Sequence, residues 1–336
     1  MNIVEIDNST LKKLSPLLNK YKFKNFYSCG EILNEEKVDY FLRKLSKIKK
    51  NGRIIAIEIK DKIRAFGWIE LSDWDTRHFG FKMAKAGLVS QSGYSDDKKY
   101  ASILLNEIEM YCIGQQIKHI TIRLPLNQIS LIHAAEENDY LLMAQANAYI
   151  KSLRNYAIET CNSSIRLRFC QPADLKKLRE ITEKSFRPRS GWFDRFHNDP
   201  MLSDEKADLL YKEWINNCYK NYLKKANNKI IVATYKAKVV GYLSGELDSE
   251  ATKSFGKKVA YITLNAVDEA YRRRGIYGLL VQEVLNWFKE KNVDLVHILT
   301  QSGTIGVQKV WIKQKDVSSE TQCVYHKYLG KTNRKI

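Results

Sequence analysis

Hydrophobic and polar positions along the 336-residue chain follow strand and helix periods in alternation. Residues 53–63 (RIIAIEIKDKI) and 229–239 (KIIVATYKAKV) each read as an apolar strand, a Lys-x-Lys turn and a second strand, the pattern of a β-hairpin. The two stretches stand 176 residues apart, and Gly67 and Gly241 follow them at nearly the same distance. The same offset returns further on. Leu104, Leu105, Ile108 and Tyr111 fall on Leu280, Val281, Val284 and Trp287, at spacings of three and four that line one helical face. An apolar strand follows each helix, 117–124 (IKHITIRL) and 293–300 (VDLVHILT), and a further helical pattern follows each strand. One gap-free offset across helix, strand and helix predicts a duplicated unit.

The boundary falls near residues 155–163, where NYAIETCNSS ends in a polar cluster. A new unit opens with a short strand at 165–168, then Gln171-Pro172-Ala173-Asp174, which suits a helix start. A helix over 175–185 and a long irregular or helical stretch come next, then strands at 229–235, 239–248 and 259–267. A glycine loop and helix at 272–290 precede a strand at 293–300, a helix at 304–314 and a last strand near 321–328. Runs of strands broken by a few helices predict an α+β class, with a mixed, mostly antiparallel sheet flanked by helices. The expected domains are 1–156 and 163–331.

Composition narrows the class. The chain holds 56 basic and 38 acidic side chains, a net charge of +18, with 44% hydrophobic residues, which excludes a disordered chain. The excess is uneven: residues 1–150 carry 22 basic and 18 acidic groups, residues 151–336 carry 34 and 20. A basic second half suits an anionic partner, whether nucleic acid, membrane surface or phosphorylated small molecule, or simply a lysine-rich surface. No stretch approaches the ~20 apolar residues of a membrane span. The opening MNIVEIDNSTLKKL lacks a leader pattern, so the mature chain is expected to be the whole one. Six cysteines without a Cys-x-x-Cys pair read as free thiols of a cytoplasmic protein. The six histidines show no ligand spacing, so no protein-built metal site is expected.

The chemistry concentrates in 262–287, ITLNAVDEAYRRRGIYGLLVQEVLNW. A strand ends near Val267, and Arg272, Arg273, Arg274, Gly275, Ile276, Tyr277 and Gly278 lead into an amphipathic helix. A helix start offers unpaired N–H groups and a positive dipole end, glycine admits a close approach, and arginines add forked positive charge. That combination suits a pyrophosphate.

The segment resembles motif A of the GNAT superfamily of N-acetyltransferases, whose loop is Gln/Arg-x-x-Gly-x-Gly/Ala. Arg272 and Gly275 fill the first and fourth places, while Tyr277 stands where Gly or Ala is usual. Residues 168–178 (RFCQPADLKKL) resemble the superfamily's first strand and helix, and 300–316 its fifth strand and following helix. There Thr304 takes an Asn place, Gln308 a polar place and Trp311 the place of a Tyr. A narrower resemblance is to dTDP-fucosamine acetyltransferases. It is carried by Trp74-Asp75 and Phe79-Gly80-Phe81, by 195–214 (RFHNDPMLSDEKADLLYKEW) and by 324–329 (VYHKYL). Those enzymes place a degenerate GNAT-like domain before an active one. Consistent with this, the arginine loop maps by the 176 offset onto 96–102 (DDKKYAS), with neither Gly nor Arg.

The resemblance implies acetyl-CoA as co-substrate, held by Asn265 and Val267 on a splayed strand, by the loop from Arg272 to Gly278, and by Thr304 and Trp311. It implies a nucleotide-diphosphate amino sugar as acceptor, with Trp192, Arg195, His197, Tyr211 and Trp214 as contacts. A core helix face is an equal reading of Tyr211 and Trp214. The family's acid Tyr is replaced by Trp311, so Tyr277, Tyr261, Tyr325 or water is left to protonate the thiolate. Glu246 is the candidate base. Rival readings are an N-acetyltransferase for another amine, peptide or antibiotic, and a CoA-binding or interaction protein without turnover. No nucleic-acid motif stands out, and nothing in the sequence excludes a homodimer.

Overall fold

The computed structural model describes residues 1–48, 51–158, 163–187, 194–224 and 227–330. In chain order the first part runs β1 (Asn2–Glu5), α1 (Ser15–Lys20), α2 (Asn34–Ile48), β2 (Gly52–Ile59), β3 (Lys62–Leu71), α3 (Asp73–Phe79), β4 (Met83–Ser90), α4 (Tyr94–Gly114), β5 (His119–Pro125), α5 (Ile129–Glu137) and β6 (Leu141–Ser152). The second runs β7 (Arg166–Phe169), α6 (Leu175–Phe186), α7 (Asp204–Lys224), β8 (Asn228–Tyr235), β9 (Lys238–Asp248), α8 (Ser249–Phe255), β10 (Val259–Val267), α9 (Ile276–Glu290), β11 (Leu295–Gln301), α10 (Ile305–Ile312) and β12 (Val317–Tyr328). The 176-residue offset holds throughout: Met83 and Val259, His119 and Leu295, Ile129 and Ile305, and Leu141 and Val317 each open matching elements. Both hairpins turn on two residues at positive φ, Lys60 and Asp61 in one, Lys236 and Ala237 in the other. That is the twist-compatible hairpin turn, made here without Asn-Gly.

Two compact units form, and neither is continuous in sequence. One comprises Met1–Ala146, Asp194–Ser203 and Glu320–Ile336; the other comprises Asn147–Phe193 and Asp204–Ser319. The expected spans 1–156 and 163–331 are contiguous, whereas β6 and β12 each pass from one unit into the other. Among the described residues no helix is long and apolar enough to cross a membrane.

In the first unit the strands lie in the order β1-β2-β3-β4-β5-β12. β4 and β5 run parallel and the other pairs antiparallel. Alternation along β2 sends Ile55 and Ile57 to a core with α4 and α5, and Ile54 and Ala56 to a core with α1 and α2. In the second unit the order is β11-β10-β9-β8-β7, with β10 and β11 parallel. Ile231, Ala233 and Leu243 pack against α9 through Leu280, Val281 and Val284. The helix lies close to the sheet at Gly245, where a Cβ would stand 2.8 Å from the Phe288 ring. Tyr242 meets Thr182 of α6, hydroxyl to hydroxyl, at 2.6 Å. Five cysteines, Cys29, Cys112, Cys170, Cys218 and Cys323, are free and buried.

Candidate functional site

The second unit opens a gap in its own sheet. β10 keeps its antiparallel partner β9 through Val267↔Gly241, with a bulge between Ile262 and Leu264. Its parallel register with β11 runs only from Val259↔Leu295 to Ile262↔Ile298, although β11 continues to Gln301. Past Ile262 the two strands part, and backbone groups along 263–267 become available to an extended ligand. Asn265 and Val267, expected to contact the coenzyme, lie on this stretch and are half-buried.

The loop that follows carries the three arginines. Asp268 accepts from the Ala270 amide at 3.2 Å and pairs with Lys177 at 3.0 Å, fixing the strand's exit. Arg272 donates to the Val267 carbonyl and to Ser185 Oγ, each at 3.2 Å. The Arg274 guanidinium sits 5.3 Å from the centre of the Tyr271 ring. Arg273 and Gly275 take φ of 64° and 75°, and no atom lies within 4 Å of where a Gly275 Cβ would stand. Residues 272–275 are exposed. Gly275 directly precedes α9, whose start has no side-chain cap and no acidic residue in its first turn. Unpaired amides, a 15-residue helix dipole and three guanidinium groups therefore face solvent at one point. Ile276 contributes only its backbone there, because its side chain is buried in the core. Gly278 borders open space.

Tyr277 and Trp311 meet. The Trp311 indole N–H donates to the Tyr277 hydroxyl at 3.0 Å, leaving the phenol proton free to be given elsewhere. Trp311 is completely buried and stacks on Tyr149 at 6.4 Å, a partner that the sequence did not suggest. Gln308 accepts from Asn147 at 3.0 Å and from the Tyr149 hydroxyl at 3.4 Å. Burial pushes the Tyr277 phenol above its ordinary value of 10.0, and the indole N–H opposes that only in part. The group is therefore protonated at neutral pH. Thr304 turns inward instead, donating to the Gln301 carbonyl at 2.6 Å and meeting Thr300 Oγ1 at 2.7 Å.

Glu246, on β9 opposite Tyr261, lines an open pocket of about 600 Å³ with Asn228, Asp248 and Glu250. It accepts from Asn228 Nδ2 at 2.8 Å. The acceptor-side residues are divided between the units. Tyr211 stacks between Phe186 (4.3 Å) and Trp214 (6.1 Å) in the second unit, with Trp214 half-buried at the ladder's end. Arg195 and His197 belong to the first unit and already have partners. Arg195 reaches Thr121 at 3.3 Å and Asp75 at 3.9 Å, and covers the Phe196 ring. His197 pairs with Asp194 at 2.6 Å. Trp192 lies outside the described residues.

The first unit repeats the parted strands but not the seat. Its β4–β5 parallel register also stops after four pairs, at Ala86↔Ile122. The residues matching the arginine loop are wound into helix, since α4 starts at Tyr94, six residues before the place that corresponds to Ile276. The Asp97 carboxylate folds back on that turn, accepting from the Ser92 amide at 2.7 Å, the Gly93 amide at 3.3 Å and the Ser90 hydroxyl. An internal carboxylate thus caps this helix start. Paired aspartates at a helix start were the sequence signal for it.

Residues 180–312 match the acetyltransferase (GNAT) family. The chain shares its fold with a GCN5-related N-acetyltransferase from Sphaerobacter thermophilus, at 13% identity and a TM-score of 0.65 over 98% of this chain and 96% of that one. A tandem GNAT protein from the clavulanic acid biosynthesis pathway aligns at 11% identity and 0.54 over 99% of both chains. A fungal GCN5-related glucosamine N-acetyltransferase region aligns at 11% identity and 0.59, covering 97% of this chain and 38% of that one. No curated protein matches the sequence. The fold is thus α+β, a GNAT fold in tandem.

Proposed function

We propose that the chain is an acetyl-CoA-dependent N-acetyltransferase whose second unit binds the coenzyme and performs the transfer. The observation that carries this is the conjunction of a parted β10–β11 edge with an exposed, arginine-ringed start of α9. The loop amides of 273–278, with Arg273 and Arg274, take the pyrophosphate. The backbone of 263–267 pairs with the pantetheine amides and directs the thioester toward the bulge. Glu246 takes the proton from the acceptor ammonium, directly or through water. The free amine attacks the thioester carbon, the carbon–sulfur bond breaks, and the sulfur leaves as coenzyme A thiolate. Tyr277, oriented by the Trp311 indole, delivers its proton to that sulfur, and the amide nitrogen gives up its remaining extra proton through solvent, which restores the phenol.

For the acceptor we propose an amino sugar on a nucleotide diphosphate, as the resemblance in 74–81 and 195–214 implies. The half-buried Trp214, stacked on Tyr211, suits stacking of a sugar or base. Arg195 and His197 support this less directly, because both are already paired. One observation favours a second acceptor class. Glu246, Asp248 and Glu250 around a single pocket suit a free cationic amine better than a phosphorylated one. Mass spectrometry of products from acetyl-CoA with a panel of nucleotide-linked amino sugars and free polyamines separates the two. Absence of any acetylated product, together with no binding of coenzyme A, refutes the enzyme reading. Binding without product leaves the coenzyme-binding protein in its place.

A further inference from the structure

Away from the loop and its helix, one cluster of ligand-type side chains stands in the first unit among the described residues. His119 opens β5, His326 lies near the end of β12, and Asp199 belongs to the inserted run Asp194–Ser203. The β5–β12 register brings the histidines together: Tyr328 is opposite His119, and His326, two residues earlier, shares that face as a diagonal neighbour. Asp199 Oδ2 lies 2.8 Å from His119 Nε2 and 2.7 Å from His326 Nδ1. One ligand atom from each of the three residues lies within 4.8 Å of the others. The imidazoles meet edge to face, 4.6 Å between centroids and 76° between planes, so their nitrogens converge on the carboxylate. No member is more than 2% exposed.

Protein atoms do not complete this cluster. The second carboxylate oxygen accepts from the Met201 amide at 2.8 Å. The outer ring nitrogens, His119 Nδ1 and His326 Nε2, are buried with no partner. Arg195, from the same inserted run, is turned toward Thr121 and Asp75. Asp199 Oδ2 therefore takes both inner ring nitrogens, while the two outer ones lack a partner.

The geometry points to a divalent metal site of the zinc class, with His119 Nε2, His326 Nδ1 and Asp199 Oδ2 as ligands. Two imidazole nitrogens and one carboxylate oxygen form a donor set that borderline first-row cations accept. Tetrahedral zinc with bonds of about 2.0–2.2 Å keeps its ligand atoms about 3.3 Å apart, so the two contacts open by about half an ångström, within reach of side-chain torsions. The ion performs no reaction step. Its ligands come from three distant segments that meet only in the finished unit, so its binding energy adds to that unit's stability. Gaps of 80 and 127 residues between ligands hid the site from any spacing rule.

The test strips the full-length protein with a chelator, reloads it with Zn²⁺ or Co²⁺, dialyses it, and measures retained metal and Tm. About one ion per chain is expected to remain, with visible ligand-field absorption for Co²⁺ and a Tm that rises with Zn²⁺ and falls on chelation. His326→Ala and Asp199→Asn should each lose the ion. Asp199→Asn preserves shape and a hydrogen-bonding partner for the rings, so it reports on ligation even if His326→Ala fails to fold. Wild-type protein that retains no ion and whose Tm ignores Zn²⁺ overturns the proposal, leaving a hydrogen-bonded clasp. Retention of the ion by both variants overturns it equally, by placing the metal elsewhere.

Discussion

Replacing Tyr277 by Phe removes a single oxygen atom and separates two roles. That oxygen takes the Trp311 indole N–H at 3.0 Å, and Trp311 is fully buried. Without it the N–H has no partner, and a buried donor left that way costs about 1–3 kcal/mol. The ring stays, so no larger cavity opens. At roughly 2–4 °C per kcal/mol for a domain of about 150–250 residues, Tm should fall by about 2–12 °C. Turnover should fall further. A positioned general acid contributes about 10²–10⁴-fold, and because coenzyme A thiolate leaves readily the lower end applies, about 10² in kcat. KM for acetyl-CoA should hold. Trp311→Phe has the opposite balance: the phenol remains, the difference between an indole and a phenyl ring is lost from the core, and Tm drops while kcat changes little. In the double variant the shared bond is lost only once, so the two stability losses should sum to about 1 kcal/mol more than the double shows. Thermal denaturation and steady-state release of free thiol measure all four proteins. If Tyr277→Phe loses stability and keeps kcat, the phenol is structural and the acid assignment is wrong. A cycle with no coupling means that the hydrogen bond is absent in solution.

Four further outcomes follow from the same geometry. Gly275→Ala forces a side chain into φ +75° where no atom blocks it, so the loop should strain by about 1–2 kcal/mol, Tm should fall by about 2–8 °C and acetyl-CoA binding should weaken; an unchanged Kd by calorimetry counts against the loop. Arg274→Glu puts a like charge beside the pyrophosphate and should weaken coenzyme A binding at least ~10-fold, an effect that added salt reduces; equal Kd values at low and high salt exclude it. Asp97→Ala strips the first unit's helix start of an anion that accepts from Ser92, Gly93 and Ser90, and stability should fall by about 1–3 kcal/mol without a gain of coenzyme sites; a second equivalent of bound coenzyme contradicts the degenerate-seat argument. Arg168 holds the Asp174 carboxyl below its ordinary 3.8, so this pair stabilises the fold above that value and the contribution is lost as pH falls below it. In acid titrations followed by circular dichroism, Arg168→Ala should therefore show a shallower loss of stability below pH 3.8 than the wild type.

What the sequence disclosed, and what it withheld, divides along the range of the interactions. The 176-residue repeat was legible because each copy must bury the same helical stripe on the same strands, which fixes apolar positions locally. The shape of the 272–278 loop was legible because a turn into positive φ favours glycine, and Gly275 takes φ of 75°. Partners chosen across the sheet were not legible. Nothing in 141–152 or 317–328 marks strands that pass between units, because the period-2 pattern is blind to which neighbour a strand joins. The Trp311 substitution read as the loss of an acid, but 34 positions away Tyr277 supplies a hydroxyl that the indole can hold. Arg195 and His197 read as acceptor contacts by resemblance, while their immediate partners, Asp75 and Asp194, lie in the first unit with them.

The discontinuous units have a consequence for biosynthesis. A ribosome adds about 5–20 residues per second. The edge of β5 emerges with Pro125, but the strand that covers it, β12, begins only at Val317. For some 200 codons the nascent first unit therefore presents an open strand edge, a template for wrong pairing. Gene fragments cut between the repeats should yield polypeptides that need a chaperone or their missing half supplied in trans. Because β6 and β12 each divide between the units, deleting either copy removes part of both.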